Sequence, residues 1–369
     1  MRQFGTRICW AGHAATAALL LTCGCRPTTS FRAGALAPAR QLRSVFRFRA
    51  SDTGPDLTWL SSHQFIYDTY GSGLTLADTL NGQSRVFLDE RVIGTRDVEA
   101  THFGAYPLEL PGAAHGARTA ILCVIASPNS SKETVLVISA SGGVLGRRSC
   151  QGDVFAYPAG SGWLGFEAAP LAGPGRRRRA YVADSRCRVT PIRSSLSERD
   201  EWVLQPEPST PTGGVCLAAV TAGWRSRSAT VSPLMLANGV LVSRGVRWSA
   251  HLPTGYDGLL DAISPDGRTL AILAQRKLPR AAGSRSRPEE GPPTELTLWL
   301  AQAGSPAAVM AGGFRCAVGY AGFPRPFFNP GNLEWLPDGS AVSFTAQRQL
   351  WEYSLGVNDA SRRANVGPK

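Results

Sequence analysis

The sequence predicts an all-β chain folded as a six-bladed β-propeller, and three observations predict it. The first is a hairpin signal that recurs ahead of an alternating apolar strand. It reads Ser264-Pro265-Asp266-Gly267-Arg268-Thr269-Leu270-Ala271-Ile272-Leu273, and again Trp335-Leu336-Pro337-Asp338-Gly339-Ser340-Ala341-Val342-Ser343-Phe344. Asp-Gly supplies the positive φ angles of a tight turn, and the residues after it want one face buried. The second is a grouping of short apolar runs into about six units over 46–357, of roughly 50 residues each, within the range of propeller blades. The third is composition: Gly 40 and Pro 26 are high together, which leaves few stretches long enough for a helix. A seven-bladed or incomplete ring is the alternative architecture.

The units follow one another along the chain. The first has strand patterns at 57–60, 64–69, 74–79 and 85–89. The second has 119–126, 134–139 and 144–148. The third has 154–157, 163–167 and 179–183. The fourth has 202–204, 215–221, 230–236 and 240–243. The fifth has 259–263, 269–274, 296–301 and 307–310. The sixth has 333–336, 341–345 and 349–355. Runs of this kind match the usual strand length. A small sheet with two apolar faces cannot bury both alone. Stacking such sheets radially buries each face on a neighbour and leaves only short edges. The opening Trp59-Leu60 of the first unit parallels Trp335-Leu336 of the last, with the turn changed to Ser61-Ser62-His63.

These repeats resemble the TolB-like family of WD-like β-propellers. Two stretches carry the resemblance: Asp261 to Ile272 with Glu295-Leu296-Thr297-Leu298-Trp299-Leu300, and Leu333 to Phe344 with Leu350-Trp351-Glu352-Tyr353. It covers 257–356 well and 46–250 weakly. What the resemblance implies is a scaffold: such propellers serve as periplasmic interaction platforms, sensor modules or gating domains of peptidases.

The N-terminus predicts export. Arg2 and Arg7 precede a mostly apolar stretch at 8–21, which is short for a membrane span. Leu19-Leu20-Leu21-Thr22-Cys23-Gly24-Cys25 resembles the lipobox of bacterial lipoproteins, so Cys23 or Cys25 is the expected lipid-attachment residue. The expected organisation is a signal peptide at 1–24, a flexible tether at 25–45, the propeller at 46–357 and a disordered tail at 358–369. The expected location is the cell envelope, lipid-anchored on its periplasmic face or the cell surface, or otherwise secreted. In such a compartment disulfides persist. Cys123 and Cys216 lie in apolar runs, whereas Cys150 and Cys187 have polar neighbours and form the candidate disulfide pair.

The net charge is +12, carried almost wholly by arginine, since lysine occurs only at Lys132, Lys277 and Lys369. Scattered arginines fit a compositional bias better than an anionic partner. Arg176 to Arg179 is the one run, and it fits a solvated hairpin turn. Aromatics beside it are too few for a single-strand nucleic-acid groove, so no specific nucleic-acid partner is expected. No nucleophile elbow, phosphate loop, metalloprotease helix or dinucleotide fingerprint is present. No metal, cofactor or catalytic residue is therefore expected. Asp68, Asp78, Asp89, Asp153, Asp184, Asp257 and Asp261 are dispersed, and a glycosidase needs two carboxylates held across one bond. Between Phe314 and Pro330 aromatics alternate with arginines in a stretch that breaks the strand rhythm. Arg315, Tyr320, Phe323, Arg325, Phe327 and Phe328 are the candidate binding residues, because aromatic and Arg side chains dominate interfaces. The same rings packed as a cover over one end of the propeller are the alternative. The expected function is a monomeric, non-catalytic binding or interaction scaffold, with a protein or envelope polymer as partner and the membrane reached through the lipid. The alternative is a secreted propeller enzyme acting on glycans or peptides in the central channel.

Overall fold

The computed structural model describes residues 35–36, 42–48, 57–69, 73–88, 102–108, 120–126, 132–139, 141–151, 154–159, 162–168, 178–194, 203–206, 215–222, 226–243, 246–279, 293–305, 307–317, 331–346 and 348–355. Every regular element among them is a strand. The first elements among the described residues are β1 (Ala35–Leu36) and β2 (Leu42–Arg47). Blade 1 follows as β3 (Leu57–Trp59), β4 (Gln64–Thr69), β5 (Gly73–Asp78) and β6 (Ser84–Leu88). Blade 2 is β7 (His102–Leu108), β8 (Ala120–Ala126), β9 (Lys132–Ser139) and β10 (Val144–Gln151). Blade 3 is β11 (Val154–Ala159), β12 (Gly162–Ala168), β13 (Arg178–Asp184) and β14 (Val189–Pro191). Blade 4 comprises β15 (Arg193–Ser194), β16 (Val203–Pro206), β17 (Val215–Ala222), β18 (Ser228–Ala237), β19 (Val240–Ser243) and β20 (Trp248–His251). Blade 5 is β21 (Asp257–Ile263), β22 (Thr269–Lys277), β23 (Pro293–Gln302) and β24 (Val309–Ala317). Blade 6 is β25 (Gly331–Trp335), β26 (Ala341–Ala346) and β27 (Gln349–Ser354).

In blades 1, 2, 3, 5 and 6 the strands pair in sequence order from an innermost first strand; in blade 4 the inner edge is β16, β15 lies at the outer edge against β19, and β20 pairs with β18. The ring closes on these inner strands: β3 lies beside β7, β7 beside β11 and β11 beside β16. Blade 4 then meets β21 through β17, β21 lies beside β25, and β25 returns to β3. Blade 6 has only three strands of its own, and β2 supplies the fourth by pairing with β27. The first long strand of the chain thus fastens the last blade. β1 adds a two-residue outer strand to blade 5.

The core is a set of seams. Strand side chains alternate between faces, and the chain uses that alternation literally. Ala120, Leu122 and Val124 of β8 pack with Val154, Ala156 and Trp163 of blade 3. Ile121, Cys123 and Ile125 of the same strand pack with Ile66 and Leu74 of blade 1. Corresponding clusters fill the seams between blades 3 and 4, 4 and 5, 5 and 6, and 6 and 1. Indole N–H groups stitch two of them: Trp59 Nε1 donates to Ser343 Oγ at 2.7 Å, and Trp335 Nε1 donates to the Ala262 carbonyl at 3.0 Å.

The two Pro-Asp-Gly turns form as expected, with one refinement. Gly267 and Gly339 take φ of 71° and 69°, whereas Asp266 and Asp338 do not enter the left-handed region. Each aspartate instead accepts a backbone N–H, from Arg268 at 3.1 Å and from Ser340 at 2.9 Å.

Three sequence expectations need correction. Strands lie inside the expected tether of 25–45: β1 pairs with β24, and β2 begins at Leu42 as the outer strand of blade 6. β7 gives no strand signal in the sequence because Gly104 and Pro107 break its alternation, and an innermost edge strand tolerates both. β24 runs to Ala317, well past the expected end at 310, so Arg315 lies in a strand. The signal peptide at 1–24 with Cys23 and Cys25, and the tail at 358–369, lie outside the described residues.

Candidate functional site

Among the expected binding residues, the structure places Arg315 alone, in register with Glu295 across β24 and β23. Tyr320, Phe323, Arg325, Phe327 and Phe328 lie outside the described residues. Arg176 and Arg177 do too, while Arg179 pairs in register with Glu167.

The end of blade 5 at which β24 finishes carries a compact polar cluster. Glu295 stands in register with Arg276 on one side and Arg315 on the other. The Glu295 side chain is 3% exposed and accepts from Arg276 Nε at 2.7 Å and from Tyr256 Oη at 3.3 Å. The Arg276 guanidinium also stacks 4.9 Å from the Tyr256 ring centre, and that ring meets Trp299 edge-on at 5.0 Å. Burial, and then the Glu295 charge, push the Tyr256 hydroxyl up. A cation held by both a buried carboxylate and an aromatic face is fixed in direction.

The seam between blades 2 and 3 repeats the arrangement. Arg148 lies 4.9 Å from the Tyr181 ring centre and 3.3 Å from Glu167. Tyr181 meets Trp163 edge-on at 5.4 Å, and its hydroxyl lies 3.6 Å from Cys150 Sγ. Cys187 belongs to the same apolar cluster. Cys150 and Cys187 were expected among polar residues as a disulfide, yet both are buried and both are free thiols here. Their flanking residues point outward while the thiols turn into the seam, Cys187 through a left-handed φ of 60°. Burial pushes the Cys187 thiol up to about 11, and it raises Cys150 and Tyr181 as well.

Most described carboxylates hold the framework together. Glu334 accepts from Thr58 Oγ1 at 3.0 Å, tying blade 6 to blade 1. Glu133 accepts from the Val154 amide at 2.7 Å, tying blade 2 to blade 3. Glu352 pairs with Arg43 at 2.8 Å and so fastens β2. Asp78 and Asp184 accept turn amides, from Leu80 at 2.8 Å and from Arg186 at 2.9 Å.

Asp261 is an exception. It lies on innermost β21, in register with Ile272. Its Oδ2 is sealed from solvent without a hydrogen-bond partner, and burial pushes the carboxyl up to about 6. The dispersed carboxylates of the sequence included Asp261, but spacing alone did not distinguish it. A comparison of units does, as the same position in blade 6 is Leu333. Among the described residues no three His, Cys, Asp or Glu side chains converge as a metal site. His63 lies between β3 and β4, and His251 forms a bridge to Ala307.

No protein-family model matches the chain, and no curated protein does. Among solved structures, the C-terminal WD40 domain of Sif2 is 11% identical, with TM-score 0.43, covering 84% of this chain and 97% of that one. An oligogalacturonate lyase from Vibrio parahaemolyticus is 10% identical, with TM-score 0.41, covering 80% and 75%. Hydrazine synthase from Kuenenia stuttgartiensis is 16% identical, with TM-score 0.38, covering 80% and 74%. Likeness at this level carries nothing about activity. The six-bladed, all-β propeller rests on the strand pairing and the closed ring of seams.

Proposed function

We propose that this chain is a non-catalytic binding propeller of the bacterial cell envelope, exported by its N-terminal segment and held there by a lipid on Cys23 or Cys25. It belongs, on this reading, with the TolB-like propellers whose repeats it resembles. Its partner is a protein or an envelope polymer, met at the end of blade 5 where Arg276, Glu295 and Tyr256 cluster. One observation carries the reading: the described glutamates are spent on ties between strands and blades, as Glu334, Glu133 and Glu352 are. β24 ends at Ala317, two residues after the Arg315 that stands in register with Glu295, and Tyr320, Phe323, Arg325, Phe327 and Phe328 follow it in the sequence.

The test is site-specific photocrosslinking of the full chain in an envelope, with the reactive residue at Tyr320 or Phe327. Discrete adducts at these positions, absent with the reactive residue at exposed Val246, support the reading. Equal or no adducts at all positions overturn it. Metabolic labelling with a fatty acid tests the anchor: the label disappears in Cys23→Ser or in Cys25→Ser, and its persistence in both removes the lipid claim.

The alternative, a propeller enzyme acting on glycans or peptides, has Asp261 in its favour, because raised carboxyls gather at catalytic sites. Turnover of a glycan or peptide by the purified protein, abolished by Asp261→Asn, would replace the first reading with this one.

A further inference from the structure

We infer that Asp261 anchors a binding site for a cationic nitrogen group, an alkylammonium or a guanidinium, at the inner edge of the seam between blades 4 and 5. The inference deepens the reading of the protein as a binding propeller and rests on it.

Hairpin hydrogen bonds align blades 1, 5 and 6. Leu60, Ser264 and Leu336 each donate across the first turn of their blade, to Gln64, Thr269 and Ala341. Counting back from these residues, Leu57, Asp261 and Leu333 are equivalent. The two leucines are 6% and 8% exposed and belong to seam clusters. Asp261 thus puts a carboxyl where the framework wants a leucine. Cross-strand partners share a face, and Ile272, the partner of Asp261, packs with Val231 and Ala250 of blade 4. The carboxyl is therefore directed to the blade 4 side, at the strand nearest the axis.

An ionised carboxyl in such a place costs several kcal/mol unless it is paired. Departures from framework rules of this kind collect at functional sites. Oδ2 is sealed, but the residue as a whole is only half-buried, so the group is approachable from one side. A neutral hydroxyl would satisfy a hydrogen bond and leave the charge uncompensated. A cation supplies both, and gains most where water is excluded. Local charge agrees. β21 carries Asp257 and Asp261 and no basic residue, in a chain of net charge +12. A bulge between Gly258 and Leu260 pairs Asp257 with Gln275 and Asp261 with Ile272, on opposite faces. The two acids therefore do not form a pair, and the site offers a single carboxylate to a single cation.

The experiment is calorimetric titration of the full chain at neutral pH with propylguanidinium, and with propylurea as its neutral isostere. The wild type binds propylguanidinium and not propylurea. Asp261→Asn weakens that binding by about tenfold or more, and Asp257→Asn leaves it unchanged. Asp261→Leu, the residue that blades 1 and 6 carry, gives the same loss in a protein with a fully apolar seam. Equal binding to Asp261→Asn, equal binding of propylurea, or no binding by the wild type overturns the inference. Crosslinking at Tyr320 stands apart from all three outcomes, so failure of this site is distinguishable from failure of the binding reading.

Discussion

Replacing Asp261 with Asn should stabilise the protein at neutral pH and do nothing in acid. The carboxyl has an ordinary value of 3.8 and burial raises it to about 6 in the folded state. A group raised on folding contributes stability that is fully present below its unfolded value and is lost as pH rises through its folded value. In this protein the loss falls between about pH 4 and pH 7. A displacement of about two units corresponds to about 3 kcal/mol. Asp261 is half-buried, and water on its open side lowers the figure, so about 1 to 3 kcal/mol is expected. Asn is nearly isosteric with the protonated acid and carries no charge at any pH. The assay is urea unfolding of both proteins across this pH range, followed by tryptophan fluorescence. The difference in unfolding free energy should grow with pH, in favour of the variant. A difference that stays flat, or a variant less stable than the wild type at the alkaline end, would refute the argument from burial.

Three further outcomes follow from the seams. Phe48→Ala should cost about 3 to 5 kcal/mol, because Phe48 is 2% exposed and meets the rings of Phe46 and Tyr67 at 5.4 and 5.3 Å; the urea midpoint checks it. Gly146→Ala should cost about 1 to 3 kcal/mol. Its Cβ would lie 2.6 Å from the Ser185 carbonyl oxygen, a backbone atom that cannot swing aside, and limited proteolysis should then cut more readily near the seam between blades 2 and 3. Cys150 and Cys187 should resist iodoacetamide in the native protein at mildly alkaline pH, since burial keeps both as thiols, and react fully in denaturant; mass spectrometry reads both states.

Much of the fold was legible beforehand. Ser264-Pro265-Asp266-Gly267 and Leu336-Pro337-Asp338-Gly339 announced their turns, and the unbroken apolar run of β8 announced a core strand. Other elements were hidden for identifiable reasons. β7 lacks a clean alternation because Gly104 and Pro107 interrupt it, which an edge strand tolerates. β2 looked like tether because its partner, β27, lies some three hundred residues further along the chain, and no local signal records such a pairing. Cys150 and Cys187 were assigned from their neighbours in sequence, which face away from the seam that holds the thiols. For the candidate site less was visible. Arg276, Glu295 and Tyr256 converge through hairpin register and a turn, and neither can be counted from spacing.

Local chemistry, written in the chain itself, determined most of the strands and the two Pro-Asp-Gly turns and pointed to about six blades, because alternation and turn residues act over a few neighbours at a time. Tertiary structure alone decided which strand completes the ring, which acids are consumed as ties, and that Asp261 stands unpartnered where other blades place leucine. Those outcomes depend on which faces meet across a seam, and that is settled only when every blade has closed on the next.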